Sequence, residues 1–273
     1  MGSPEHTQPT LPAMQNLRPP SFRSLRTIMA LILREMESTY GREPGGYLWA
    51  IVQPIGMIVL LSAAFSLLVR NPPLGTSFIF FYATGYLPFD TYGVIAGKIT
   101  VAMKYSRPLL FYPRVTWIDT VIARFLLNAI TQTVVFCIIL GGIAMMFETR
   151  ASLQIVPVIE AMIAAMIIGF GIGVMNCVLT GLYPVWGLIW NILTRPLFIA
   201  SGVLFLYEEM PRFTQEILWW NPLMHVTGLM RRGLYPTYDA SYVSLPYCYG
   251  FGLVLSAVGL ILLRANYKTV LQQ

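Results

Sequence analysis

Six long apolar stretches constrain the fold of this chain more than any other feature of its sequence. They run from Tyr47 to Val69, Phe78 to Val101, Ile118 to Phe147, Leu153 to Leu182, Val185 to Phe205 and Tyr247 to Leu263. About 20 helical residues cross the hydrocarbon core of a bilayer, so each stretch is long enough to cross once, although the last is short. The sequence therefore predicts an all-α membrane protein with six transmembrane helices.

The composition supports this interpretation and excludes a sizeable soluble domain. Of the 273 residues, 56% are hydrophobic and 11% are charged, whereas about 25% charged residues are usual in soluble domains. Three cysteines, Cys137, Cys177 and Cys248, are too few for a disulfide framework, and they lie inside apolar stretches. We therefore expect no redox role.

The N-terminal region divides into a tail and a helix. Residues 1–20 contain five prolines among polar residues, a composition typical of a disordered tail. Residues 21–41 carry an apolar stripe at steps of three and four that includes Leu25, Met29 and Met36. This pattern predicts an amphipathic interface helix on the membrane surface. Packing of its apolar face on the rest of the protein remains the alternative.

The distribution of basic residues predicts the topology. Six crossings place both termini on one side. Twelve of the 18 Lys and Arg residues then fall on that side. The positive-inside rule makes that side cytoplasmic. The loops around Pro72 and Ser152 and the segment from Tyr207 to Pro246 are then outside.

The segment from Tyr207 to Pro246 is rich in aromatic residues and too broken to span. Asn221-Pro222 interrupts its apolar patch, which favours re-entrant or interfacial helices before the last span. Its aromatic rings, including Trp219 and Trp220, suit an interfacial belt or stacking against sugars.

Ionisable residues inside the apolar stretches need an explanation because charges are costly in the membrane. Closely spaced pairs of glycines in these stretches also need one. Arg195 is followed by Pro196 near the middle of the fifth stretch, which suits a solute pathway or an ion pair with Glu160 or Asp90. Asp119 and Arg124, near the start of the third stretch, suit pairing or snorkelling. The pairs Gly93/Gly97 and Gly169/Gly173 suit ordinary helix packing or a subunit interface.

Motifs of independent catalysis are missing from the sequence. The stretch from Gly93 to Ile99 departs from a phosphate-binding loop in its glycine spacing and has no Ser or Thr after Lys98. Two histidines are too few for a metal site, and no nucleophile elbow is present. We expect a chain that is not an enzyme by itself, binds no cofactor and does not bind nucleic acid.

Four ordered stretches resemble the type-2 family of ABC exporter permeases. They are Gly46 to Ala50 with Gln53 and Pro54; Thr84 to Phe89; Tyr112 to Val115 with Asp119, Ala123 and Arg124; and Ser201 to Phe205 with Pro211 and Trp220 to His225. The likeness extends from about Arg18 to Tyr267 and is greatest to the membrane subunit of capsular polysaccharide exporters. Phe89 stands where the family often has tryptophan.

The resemblance implies a transmembrane domain over residues 46–268 and a short cytoplasmic coupling helix between the second and third spans. It also implies a homodimer that works with two separate ABC ATPase subunits, which bind ATP and Mg. The expected substrate is a lipid-linked acidic polysaccharide moved outward across a bacterial inner membrane, with periplasmic and outer-membrane export proteins as further partners.

Several alternatives remain open. A sister permease would export O-antigen, teichoic acid, or a lipid or drug. Rivals of other classes are a membrane-embedded enzyme for lipid-linked sugars and a passive channel. The enzyme would need paired carboxylates or a metal motif, and the channel would work without an ATPase.

Two groups of residues are candidates for function. On the substrate path we place Arg195 first, because guanidinium suits carboxylate and phosphate, and with it Tyr47, Trp49, Arg231, Arg232, Trp219 and Trp220. For docking to the ATPase we select Tyr105 to Arg114, in particular Arg107, Pro108, Leu109, Leu110, Phe111, Tyr112, Pro113 and Arg114. Its four consecutive large hydrophobic residues suit an interface, and a lipid anchor is the alternative.

Overall fold

A computed structural model describes residues 23–40, 45–110, 115–147 and 152–272, and the regular secondary structure within these ranges is entirely helical. In chain order the elements are α1 (Arg23–Tyr40), α2 (Gly46–Leu68), α3 (Phe78–Thr100), α4 (Ala102–Leu110), α5 (Trp117–Met146), α6 (Ile155–Leu182), α7 (Val185–Ala200), a 3₁₀ turn (Tyr207–Glu209), α8 (Arg212–Trp219), α9 (Pro222–Leu234) and α10 (Leu245–Gln272). The predicted tail of residues 1–20 lies outside the described residues.

Each of the six apolar stretches contains a helix, namely α2, α3, α5, α6, α7 and α10. Among the described residues, four helices are both long and apolar enough to cross a bilayer: α2, α5, α6 and α10 as far as Leu271. The helix α3 carries several polar residues, and α7 has 16 residues, or about 24 Å of helix. Helix α7 ends at Ala200, five residues before the predicted end, because the chain turns at Gly202 with φ of 70°. Six crossings therefore stay a prediction.

The helix α6 lies at the centre of the bundle and packs on α3, α9 and α10. Its glycines allow these close approaches. A methyl group at Gly169 would lie 2.9 Å from the carbonyl oxygen of Tyr92 in α3. On the opposite face, a methyl group at Gly171 would lie 2.6 Å from the carbonyl oxygen of Gly252 in α10. The predicted pair Gly169 and Gly173 therefore serves packing within the chain.

The other predicted glycine pair, Gly93 and Gly97 of α3, is exposed. Apart from its own helix neighbours, no atom of the described residues lies within 4 Å of a methyl group placed at either glycine. A subunit contact there stays a prediction.

The predicted interface helix corresponds to α1, and two of its faces have different surroundings. Leu25, Met29 and Met36 of the predicted apolar stripe are exposed. Ile28 is buried, and Glu35 lies on the side that packs against α5. Packing on the protein thus uses a different face from the apolar stripe, which remains available for lipid.

The bundle has two distinct ends. Helices α1 and α4 and the first turn of α5 lie at the end that we call basal. At the opposite, apical end, α9 meets the start of α6, where the Gln154 N–H donates to the carbonyl oxygen of Gly233 at 2.8 Å. Asp119 takes part in a capping box with Thr116 at the start of α5, so its carboxylate helps to begin that helix.

Candidate functional site

The predicted coupling segment forms α4 at the basal end. One face, with Met103 and Ser106, is buried, whereas Tyr105 and Arg107 are exposed. Pro108 lies inside this helix. The residues Phe111, Tyr112, Pro113 and Arg114 lie outside the described residues.

The expected exposure of the apolar run is wrong for Leu109 and Leu110, which are half-buried. Leu110 packs against a core cluster that contains Met103. The reason is that α4 begins two residues after α3 ends and lies along α5. The face of α4 that remains exposed is consequently more polar than the four consecutive large hydrophobic residues had led us to expect.

The aromatic residues proposed for the substrate path lie at opposite ends of the bundle. Tyr47 and Trp49 are exposed in the first turn of α2, which starts after Gly45 in the left-handed conformation. Trp219 and Trp220 lie at the apical end, where α8 meets α9. The structure therefore does not bring these residues into one site.

Arg195 lies between the two ends, about 15 Å along α7. It is exposed, and α7 has no buried residue. No ion pair links it to Glu160 or Asp90 within the described residues. Asp90 instead accepts hydrogen bonds from the Tyr86 hydroxyl at 3.1 Å and from Gln132 Nε2 at 3.4 Å.

The turn after α7 is held by side chains of α9 and its cap. Asn221, which caps α9, donates from Nδ2 to the carbonyl oxygen of Ala200 at 2.9 Å. Thr227 Oγ1 donates to the carbonyl oxygen of Ser201 at 2.8 Å. We call residues 200–205 and these side chains, together with Arg231, the apical clamp. The clamp joins the two parts of the fourth sequence stretch that carries the family resemblance, Ser201 to Phe205 and Trp220 to His225.

Arg231 is the largest member of the apical clamp. It donates from Nη1 to the carbonyl oxygen of Phe205 at 3.0 Å and from Nη2 to that of Val203 at 3.1 Å. Its guanidinium carbon lies 4.2 Å from the centroid of the Phe81 ring. A methyl group at Gly85 would lie 2.9 Å from Nη2, so this glycine makes room for the arginine.

Arg231 and Arg232, which we both placed on the substrate path, have different surroundings. Arg231 is 1% exposed, whereas Arg232 is exposed and lines a cavity of about 590 Å³ that also contacts Glu160. Successive helical residues point about 100° apart, and α9 buries one of them. Arg231 is too enclosed to meet a passing substrate directly.

Aromatic rings pack around His225 beside the apical clamp. Trp219 stacks on Tyr247 with 5.3 Å between ring centroids, and its indole N–H donates to the Tyr242 carbonyl oxygen at 3.3 Å. Trp220 is 69% exposed and contacts Trp219 edge-on. Trp219 is thus used in packing, and Trp220 is the ring that remains available for sugars or lipid headgroups.

The imidazole of His225 is fully buried and bonded on both sides. Its Nδ1 accepts from the Ser244 N–H at 3.2 Å, and its Nε2 lies 2.7 Å from the Trp219 carbonyl oxygen. This arrangement requires the neutral ring with the proton on Nε2. In the same apical segment, burial raises the pKa of the Tyr238 hydroxyl. This hydroxyl donates a hydrogen bond to Glu208 Oε2 at 3.0 Å.

Comparison with known families identifies the architecture. A model of a family described as ABC-2 type transporter matches residues 26–235, which is most of the chain. The chain belongs to the ABC-2 type transporter family. The match begins in α1 and ends one residue after α9, so it includes both the coupling segment and the apical clamp.

Relatives within the ABC-2 family match nearly end to end. The chain is 32% identical over 248 residues to the polysialic acid transport protein KpsM of Escherichia coli, covering 90% of this chain and 95% of that protein. It is 25% identical to the capsule polysaccharide export inner-membrane protein BexB of Haemophilus influenzae and 24% identical to CtrC of Neisseria meningitidis serogroup B, covering 90% of this chain and 92% of each relative.

Sequence reasoning missed the apical clamp of this ABC-2 protein. Thr227 and Arg231 are four residues apart and share one face of α9, a spacing that could have suggested a common partner. The partner carbonyls lie more than 20 residues earlier in the chain. Periodicity within one helix carries no information about them.

Proposed function

We propose that this chain is the membrane subunit of an ABC exporter that moves capsular polysaccharide outward across a bacterial inner membrane. The observation that carries the proposal is the near end-to-end similarity to KpsM, BexB and CtrC. All three are named for transport or export, and two of them for capsule polysaccharide and the inner membrane. An expected substrate is a lipid-linked acidic polysaccharide.

The energy would come from two ATPase subunits that bind ATP and Mg and dock on α4 of a homodimer. Within residues 23–40, 45–110, 115–147 and 152–272 the structure is a helical bundle with its end segments, which leaves no room for a nucleotide-binding domain in the described residues. The exposed face of α4, with Arg107 beside Tyr105, supports docking at the basal end.

In the proposed topology both termini are cytoplasmic, α3 and α7 complete six crossings, and α8 and α9 re-enter the membrane from the outside. The helix α3 has 23 residues, which is long enough to cross, and its polar groups are covered by neighbouring helices. Charge bias supports the orientation.

Arg195 is our first candidate for contact with the substrate. It is exposed on a helix that has no buried residue, and no described acidic residue neutralises it. Such a cation can receive a carboxylate or phosphate inside the membrane. Trp220, and Tyr47 and Trp49 at the other end, are secondary candidates.

Deletion of the gene in its own host tests the proposal. We expect the capsular polymer to accumulate inside the cells and to disappear from their surface, and the wild-type gene to restore it. Loss of O-antigen with an intact capsule would instead favour a sister exporter. Export that continues with an inactivated partner ATPase would favour a passive channel.

A further inference from the structure

A buried arginine at the basal end connects four helices. Arg124 of α5 has a side chain that is 3% exposed, and its Nη2 lies 2.9 Å from Glu35 Oε1 of α1. Its Nη1 donates to the carbonyl oxygen of Lys98 in α3 at 2.9 Å. Its guanidinium carbon lies 4.4 Å from the centroid of the Tyr105 ring in α4. One side chain thus contacts the interface helix, the coupling segment and a neighbouring helix of the bundle.

The surroundings of the guanidinium are electrostatically favourable at each contact. Lys98 is in the last turn of α3, where carbonyl groups lack helical partners and the helix dipole is negative. The Tyr105 ring offers its negative face to the cation. Leu31, Leu109 and Arg34 line a small cavity beside the pair. The side chains of Arg124 and Glu35 are only 3% and 12% exposed, so their attraction is little screened by salt.

A gain in folding stability is by itself a weak explanation for a buried Arg–Glu ion pair. Desolvation of two buried charges offsets most of their attraction, and well-packed apolar residues often stabilise a fold equally well. In addition, Arg124 Nε has no hydrogen-bond partner among the described residues. The geometry instead joins α1 and α4, which are separated by more than 60 residues of sequence, into one unit with α5.

We propose that the Arg124–Glu35 pair is a positioning element that makes α1 and α4 move together with α3 and α5 when the ATPase acts on α4. This inference rests on the proposed function, since it assigns a role in coupling hydrolysis to export. Without the pair, a displacement of α4 would be absorbed locally at the basal end instead of reaching the bundle.

The variant Glu35→Gln tests the inference, because it keeps the shape of the side chain and removes its charge. Glu37→Gln is the matched control, since Glu37 is an exposed residue of the same helix. We expect Glu35→Gln to retain the bound ATPase and its ATP hydrolysis while export falls about fivefold or more, the lower range of coupling between two sites. The control should export normally.

The double variant Glu35→Gln/Arg124→Met covers the case in which a single unpaired charge disturbs folding. Normal export with normal ATP consumption in Glu35→Gln and in a folded double variant would overturn the inference. Loss of ATPase binding in Glu35→Gln would also overturn it, because the pair would then only shape the docking face. Failure of the wild-type protein to export polysaccharide would instead count against the proposed function.

A distance measurement is independent of the substrate. Spin labels at the exposed residues Arg26 and Lys104, in a background without native cysteines, report the separation of α1 from α4. We expect one narrow distance in the ATPase complex with Glu35 intact and a broad distribution in Glu35→Gln. Equally narrow distributions would overturn the inference.

Discussion

Arg195 and Arg231 are basic residues with opposite surroundings, and we propose different roles for them. Arg231 is enclosed, and its guanidinium donates hydrogen bonds to two carbonyl oxygens of the apical clamp. Arg195 is exposed on α7 and has no acidic partner among the described residues. A structural role for Arg231 and a substrate role for Arg195 lead to different consequences of mutation.

Replacing Arg195 by Gln should lower polysaccharide export about tenfold, since a hydrogen bond to a charged group contributes about 1.5–3 kcal/mol. Insertion and ATPase binding should be unchanged because the side chain packs against no other residue of the core. Surface polymer is measured against Arg264→Gln, an exposed arginine of α10. Normal export by a well-expressed Arg195→Gln protein would remove this residue from the path.

Replacing Arg231 by Gln should destabilise the protein by about 3 kcal/mol, because two buried carbonyl oxygens lose charged donors. The melting temperature of the purified protein measures the effect. The neighbouring variant Arg232→Gln is the control, since Arg232 is exposed. Equal melting temperatures for the two variants would contradict the stabilising role of Arg231 in the apical clamp.

At the scale of helices, the short elements at the two ends depend on a few tertiary contacts. Helix α4 has nine residues, which is too short to be stable alone, and it forms because one face packs on the bundle. Its other face remains exposed. That division makes α4 suitable for docking a second protein.

The exposed face of α4 should bind the ATPase. We expect Arg107→Glu to abolish co-purification of the ATPase while the permease still inserts, because the charge at the rim of the interface is reversed. Lys268→Glu, an exposed residue of α10, serves as the control. We choose Arg107 over Leu110, since truncation of half-buried Leu110 would also disturb the core. An intact complex would refute this docking site and favour a lipid anchor.

At the scale of the whole molecule, the helices are unequally covered. The central helix α6 packs against α3, α9 and α10. By contrast, α7 has no buried residue, and α2 has four. Lipid or a second copy must cover these apolar surfaces, which agrees with the proposed homodimer.

The proposed topology can be tested by cysteine labelling in a background without native cysteines. Asn71→Cys and Thr237→Cys should react with an impermeant maleimide from outside, and Lys104→Cys should react only after the membrane is opened. These three residues are exposed. Gly75 is unsuitable because its φ is 74° and a methyl group there would lie 2.7 Å from the Tyr235 ring. The reverse labelling pattern would refute the orientation.

The positions of the helices could be predicted from local sequence features. Apolar length placed α2, α3, α5, α6, α7 and α10, and Asn221-Pro222 placed the break before α9. These features are local, since hydrophobic run length and capping depend on residues a few positions apart. The resemblance in four motifs also identified the family correctly.

The pairing of polar residues, in contrast, depends on the packing of segments that are distant in the sequence. Arg124 is paired with Glu35, 89 positions away, and Arg231 reaches Phe205, 26 positions away. Buried polar groups must find partners, yet a sequence pattern records only that they are present, not which carbonyl or carboxylate the fold brings to them. The burial of Arg231, the short α7 and the half-buried Leu110 follow from packing between distant segments, and local periodicity contains none of that information.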